Sequence, residues 1–327
     1  MKVLLIFRSR QKGGTSIEGL FQAFLQDGHQ DIQFVKWEYD PERSFLKNLK
    51  ALRNQEVDIW HITGDINYMA IGLWGKKTVL TIHDIGNYKV LKGWKKWMYG
   101  KLWIQWPIRW SKRVTIVSHY TNHEILGFFS IKHQDKIQVV HNAVNPLYTG
   151  TEKLFNPECP ALLQVGTAVH KNLETLIKAI SGLNCKLYII GALSDLQRTM
   201  LRSSQIQFEN HENVSEEELK HFYSLADIVV FPSLHEGFGL PVLEAQAMGR
   251  PLITTRMTSI PEVAGFGAHF LDNPLNPDEL KNAILRIIQD ADYRKGLIET
   301  GYKNASQFTW PKMKEAYFEL YKNLVSA

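Results

Sequence analysis

Two carboxylates, Glu236 and Glu244, stand with seven residues between them across Gly237-Phe238-Gly239-Leu240-Pro241-Val242-Leu243. Glycines let the backbone fold back, so both acids could reach one small molecule from different sides. A helix is expected from about Leu240, because Pro241 suits a first turn where its missing N–H costs nothing. The free N–H groups and the positive dipole end of such a helix form an anion site behind the turn. A cation is available upstream in Gly166-Thr167-Ala168-Val169-His170-Lys171-Asn172, where Lys171 opens a second helix and could meet a phosphate. His83-Asp84, after an apolar run, adds a titratable group. Each feature also has a plain reading: a surface Glu with a helix Glu, a solvated Lys at a helix start, a structural His.

Those residues need a scaffold that places loops side by side. Apolar, β-branched runs recur at Val3–Phe7, Ile32–Val35, Val57–Ile62, Val79–Ile82, Val114–Val117 and Ile137–Val140. A second series follows at Ala161–Val165, Leu187–Ile190, Ile206–Phe208, Ile228–Phe231, Leu252–Thr254 and His269–Leu271. Amphipathic segments separate them, which predicts an α/β chain with two parallel sheets, each covered by helices on both faces. Between the series, Asn142–Pro160 is rich in Asn, Pro, Gly and Thr and reads as a linker. The expected division is residues 1–150 and 151–310, with an amphipathic helix over 311–327. After the first strand, Arg8–Ser16 is a basic loop carrying Gly13 and Gly14, with neither a Walker A nor a G-x-G-x-x-G spacing.

At 327 residues the chain has room for two domains, and 44% hydrophobic with 22% charged residues is a globular balance. Cys159 and Cys185 are too few for a disulfide framework, which points to a reducing compartment. The apolar start ends at Arg8 without a cleavage signal, and no run reaches the roughly 18 residues of a spanning helix. A cytoplasmic protein is expected, and the modest +5 charge gives no reason to expect a nucleic-acid partner.

The segment Asp227–Gly249, with its two acids, glycine turn and strand-helix-strand frame leading to Arg250-Pro251, resembles the E-x7-E region of retaining glycosyltransferases of family 4. The resemblance implies the GT-B fold, two Rossmann-like domains facing each other across a cleft. It implies transfer of a hexose from a nucleoside-diphosphate sugar, with GDP-mannose slightly ahead of UDP-glucose, to a glycan or lipid-linked acceptor in polysaccharide biosynthesis. No metal or other cofactor is expected. Gly13, Gly14, Gly166, His170, Lys171, Phe238, Gly239, Leu240 and Glu244 would hold the donor, with Glu244 on the ribose diol. Glu236 would take hydroxyls of the transferred sugar and His83 would support it. His170 stands where the family has an Arg, which leaves Lys171 as the main cation. The final helix would pack back on the first domain. A non-catalytic nucleotide-sugar-binding protein and a two-carboxylate glycoside hydrolase are the competing readings.

Three patterns remain. His119 and His123 stand four apart, but Ser118 before them reads better as a helix N-cap than the group does as a metal site. Asp290-Ala291-Asp292 falls at a helix end, away from any glycine turn, and reads as a solvated acid pair. Between Lys89 and Arg113 there are eight Lys or Arg, no Asp or Glu, and five of the nine tryptophans. Tyr99, Trp103, Trp106 and Trp110 recur at helical spacing, so the stripe is either core or an anionic-membrane contact near an acceptor. On the second reading Trp103, Trp106 and Trp110 face the cytoplasmic leaflet.

Overall fold

Valine, leucine and isoleucine cannot stay in water when they occupy both faces of a strand, and the twelve expected runs are all strands, with ends displaced by up to three residues. The computed structural model describes residues 1–9, 16–27, 31–150 and 153–326. The strands are β1 (Lys2–Phe7), β2 (Gln33–Glu38), β3 (Ile59–Ile62), β4 (Thr78–Ile82), β5 (Arg113–Ile116) and β6 (Ile137–Val139). A second set comprises β7 (Ala161–Val165), β8 (Lys186–Ile190), β9 (Gln207–His211), β10 (Ile228–Phe231), β11 (Leu252–Thr255) and β12 (His269–Leu271). They form two six-stranded sheets, ordered β2-β1-β3-β4-β5-β6 and β12-β11-β10-β7-β8-β9, and every pairing is parallel. Strands β3, β4, β10 and β11 are buried at every position, whereas the edge strands β2 and β9 alternate with exposed residues.

The second sheet has the order 3-2-1-4-5-6 of a dinucleotide-binding fold, read from β9 to β12. Its order reverses between β7 and β10, and loops leaving the carboxyl ends of those neighbours diverge to opposite faces. The crevice between them is where open α/β sheets bind ligands. In the first sheet the corresponding reversal lies between β1 and β3.

The chain divides into two units, residues Met1–Ala143 with Pro311–Ala327, and residues Val144–Trp310. The terminal helix, Trp310–Ser326, joins the first unit through a buried polar network. His61 on β3 meets the Tyr321 hydroxyl at 2.6 Å and Thr81 Oγ1 at 2.8 Å. The Tyr317 hydroxyl reaches Thr81 and Thr115 at 3.1 and 3.2 Å. Burial first, then the nearby His83, push the His61 imidazole down to about 3, so it is neutral at ordinary pH.

The stretch whose composition marks a linker is largely annealed to the second unit. The buried Tyr148 donates to Glu216 at 2.7 Å, and the Gly150 N–H donates to the Ala247 carbonyl at 2.9 Å. Asp227, just before β10, accepts from Ala161 N and Asn156 N and pairs with Lys153. Its Asn, Pro and Gly content therefore reports irregular backbone, not looseness.

Candidate functional site

Adjacency of β7 and β10 brings two distant loops together at the second unit's reversal point. After β7, Gly166 takes φ +90°, and a Cβ there would meet the Lys171 stem at 3.0 Å. Only glycine suits both conditions. A short 3-10 turn over Val169–Lys171 then ends at Asn172, which adopts a left-handed conformation at φ 59°. The Asn172 amide donates to the carbonyls of Pro232 and Pro274, fixing the turn against the loop that follows β10. From that loop, Leu234 N donates to the His170 carbonyl at 2.7 Å, and Ser233 Oγ lies 3.1 Å from the same oxygen.

Lys171 is thereby aimed at Glu236. Its Nζ lies 2.6 Å from Glu236 Oε1 and 4.7 Å from the Phe231 ring centroid. Ser233 Oγ donates to the same carboxylate oxygen at 2.6 Å, and Glu236 N donates to Thr258 Oγ1 at 3.0 Å. Lys171 and Glu236 retain 17% and 12% of their side-chain exposure, so Lys171 is not the solvated lysine that its place in the sequence allows. Desolvation around the pair strengthens their attraction and makes an anionic ligand a strong competitor for the ammonium group.

Beyond Glu236 the chain turns at Gly239, with φ +100°, and enters the helix Leu240–Ala247 with Pro241 in its first turn. Gly237, also expected to turn the chain, is not among the positive-φ glycines. Phe238 and Leu240 are buried, and Ser259 Oγ donates to the Phe238 carbonyl at 2.9 Å while lying 3.1 Å from the Glu236 carbonyl. Any contact of Phe238, Gly239 and Leu240 with an anion therefore comes through backbone N–H groups.

Glu244, one turn inside, is 3% exposed and its Oε2 accepts from the Tyr223 hydroxyl at 2.8 Å. Burial pushes its carboxyl up to about 8; Glu216 adds to the rise, while the Tyr223 bond and the charge of Lys171 oppose it. Burial thus favours the protonated form of this carboxyl, against the Tyr223 bond and the charge of Lys171. Tyr223 is itself held edge-to-face by Tyr148, ring centroids 5.6 Å apart.

In the first unit His83 follows β4, half-buried, and its Nε2 lies 2.7 Å from the Thr63 carbonyl. A carbonyl can only accept, so Nε2 carries a proton. Asp84 caps its own turn by accepting from Gly86 N at 2.7 Å. Gly13 and Gly14 lie outside the described residues.

Ser118 caps the helix His119–Phe128, as its position before the two histidines suggests. His123 is exposed, and Glu124 pairs with Lys89 and accepts from Tyr120 at 2.8 Å. Asp290 caps the helix Ala291–Ala305 by accepting from Tyr293 N at 2.9 Å. The tryptophan assignment needs correction. Trp103 is stacked on Tyr99 at 5.3 Å and packed on Tyr68 at 4.7 Å, and half-buried Trp110 lies against Trp106. Of the three, only Trp106 counts as exposed, at 38%. The stripe read from Tyr99 to Trp110 is mostly the inner face, because helical spacing defines a face without saying which way it points.

Sequence reading missed Ser233, Thr258, Ser259 and Tyr223, which hold the two acids. Ser233 carried a faint signal, three residues before Glu236 in the same turn. Tyr223 carried none, since it meets Glu244 from another helix.

Residues 24–146 match the family model described as Glycosyltransferase Family 4, and residues 151–304 match Glycosyl transferases group 1. An O-antigen chain mannosyltransferase B of Escherichia coli is 37% identical over 111 residues, 34% of this chain and 29% of that protein, so the chain matches under a third of that relative's length. Sucrose-phosphate synthase of Thermosynechococcus elongatus superposes with TM-score 0.80 at 17% identity, over 99% of both chains. Anabaena HepE, solved with UDP-glucose, gives 0.79 at 15% identity, over 98% of this chain and 99% of that one. At those identities the superpositions establish the fold.

Proposed function

We propose, on the premise that the chain belongs to glycosyltransferase family 4 and has the GT-B fold, that it moves a hexose from a nucleoside-diphosphate sugar to a glycan or lipid-linked acceptor with retention at the anomeric carbon. The observation that carries this reading is the desolvated Lys171–Glu236 pair beside the helix that begins at Leu240. A lysine, the start of a helix and a carboxylate converge at one sheet reversal, which is the chemistry a diphosphate with a sugar at its end would require.

In this reading the diphosphate lies against the helix start and draws Lys171 from Glu236. The freed carboxylate accepts hydroxyl hydrogen bonds from the hexose. Glu244 releases its proton to solvent as the ribose diol comes to donate to it, and Tyr223 keeps the carboxylate oriented. The bond from the anomeric carbon to the leaving phosphate oxygen breaks, and the acceptor oxygen bonds to the same face of that carbon. The acceptor's proton passes to the departing phosphate. Charge gathering on that phosphate meets Lys171 and backbone N–H groups already in position, which removes the cost of reorganising them.

The mannosyltransferase name of the E. coli relative supports a mannosyl donor, for which we favour GDP-mannose, and the UDP-glucose complex of HepE keeps UDP-glucose as the competitor. A thermal-shift screen of GDP- and UDP-sugars decides between them, since a ligand at about 100 times its dissociation constant stabilises by about 2.7 kcal/mol. Turnover of the best binder with and without an oligosaccharide acceptor then tests transfer. Hydrolysis that is indifferent to acceptor would favour a hydrolase, and binding without turnover a nucleotide-sugar sensor.

A further inference from the structure

The segment from Lys89 to Arg113 has no carboxylate, and its two faces differ sharply in the folded chain. It forms the helix Gly93–Tyr99, a widened π-helical stretch Gly100–Gln105 and the helix Trp106–Trp110. Its underside is packed. A Cβ on Gly100 would meet the Phe129 and Tyr88 rings at 2.9 and 3.0 Å, so only glycine lets the segment lie this close. Tyr99 and Trp103 complete that inner aromatic layer.

The outer face leaves large apolar side chains exposed. Trp94, Trp97 and Met98 stand at the i, i+3, i+4 spacing of one helix face and are 67%, 65% and 39% exposed. The patch continues onto Phe128, 49% exposed, through Tyr88, whose ring lies 5.6 Å from Phe128 and carries Lys96 Nζ at 4.7 Å. Lys92 and Lys95 are exposed beside it and Lys101 is half-buried. Lys89 is neutralised by Glu124, but among the described residues no carboxylate forms an ion pair with Lys92, Lys95, Lys96 or Lys101. Large aromatics left in water within a field of one sign call for an occupant.

We propose that this face docks the protein on an anionic lipid bilayer, with Trp94 and Trp97 in the headgroup layer and Lys92, Lys95 and Lys101 above it. Charge selects the occupant. A protein interface is depleted of lysine at its centre and carries both signs at its rim, whereas a bilayer of anionic headgroups presents one sign everywhere. Indole rings favour headgroup depth, and lysine stems can bury their methylenes while the ammonium stays wet. No described helix is long and apolar enough to cross a membrane, so the contact is peripheral. The proposal does not depend on the transferase reading.

The test is flotation of the full chain with vesicles of phosphatidylcholine alone and of phosphatidylcholine with about one third phosphatidylglycerol, at low and high salt. Binding is expected on the anionic vesicles at low salt, with a blue shift in tryptophan fluorescence, and it should weaken at least tenfold at high salt because screening shortens the field. Trp94→Ala/Trp97→Ala and Lys92→Glu/Lys95→Glu should each lose at least tenfold in binding with an unchanged melting temperature, since these side chains have little packing to lose. Phe266→Ala, 91% exposed in the other unit, should bind as wild type. Failure to float on anionic vesicles at low salt, equal binding to neutral vesicles, or undiminished binding by either double variant overturns the proposal. Binding to poly-glutamate but not to vesicles would make the face a protein site and overturn it equally.

Discussion

Lys171 Nζ lies 2.6 Å from Glu236 Oε1, so the loops after β7 and β10 neutralise each other across the reversal of the second sheet. A ligand phosphate must compete with that carboxylate for the lysine. Lys171→Met keeps the stem over Gly166 and removes the charge. It should lower kcat/KM for the sugar donor by about 10²–10³, the loss typical of one preorganised group facing transition-state charge. Its melting temperature should fall by no more than a few degrees, because Glu236 keeps the Ser233 bond. Steady-state kinetics and calorimetry check both, and unchanged kcat/KM would move the phosphate cation elsewhere.

Glu236→Gln separates the two roles of the carboxylate. The amide oxygen can still accept from Lys171 and Ser233, but the competing charge is gone. Free nucleoside diphosphate should therefore bind several-fold more tightly, while transfer of the hexose slows. Titration calorimetry with GDP and UDP beside donor kinetics reads the split. Weaker nucleotide binding would show that Glu236 is not competing for Lys171.

For Glu244 the pH dependence carries the argument. Its folded pKa of about 8 lies above the ordinary 4.5, so the folded protein holds a proton that the unfolded chain releases. The contribution of this group to stability is complete below about 4.5 and is lost as pH rises through 8. Glu244→Gln, always neutral, should gain melting temperature relative to wild type between pH 6 and pH 9. Nucleotide-sugar affinity should rise over the same range in wild type, by at most about tenfold per unit, as the ligand displaces one proton. The Gln variant should lose both affinity and slope. A wild-type affinity flat from pH 6 to pH 9 would contradict the ribose assignment.

The terminal helix should be part of the first unit's stability. Tyr321→Phe removes the hydroxyl that meets the buried, neutral His61 and strands a ring nitrogen, at a cost of about 1–3 kcal/mol. Urea denaturation measures it. A loss below a few tenths of a kcal/mol would mean that water replaces the hydroxyl.

Chelation tests how the leaving phosphate is neutralised. If Lys171 and the helix start at Leu240 supply the positive charge, EDTA should leave transfer unchanged. Loss of activity that added Mg²⁺ or Mn²⁺ restores would require a divalent ion at the diphosphate.

By itself the sequence determined the twelve strands, the helix start at Leu240 behind Gly239, the cap at Ser118 and the types of the residues at Glu236, Glu244 and Lys171. These are local matters: β-branched residues, a proline in a first turn and a serine before a helix act through their own backbone. Tertiary structure decided which of them meet. Lys171 and Glu236 are 65 residues apart and touch because crossovers make β7 the neighbour of β10. Glu244 reads as a charged acid in the sequence, and in the fold burial pushes its carboxyl up against the Tyr223 hydrogen bond and the charge of Lys171. The aromatic stripe of Tyr99–Trp110 was visible, but its direction was not, and the most exposed tryptophans of that segment are Trp94 and Trp97. Tyr317 and Tyr321 show in the sequence only as positions on an amphipathic helix. Their partners His61, Thr81 and Thr115 lie more than 200 residues upstream, and no local spacing encodes a contact across that distance.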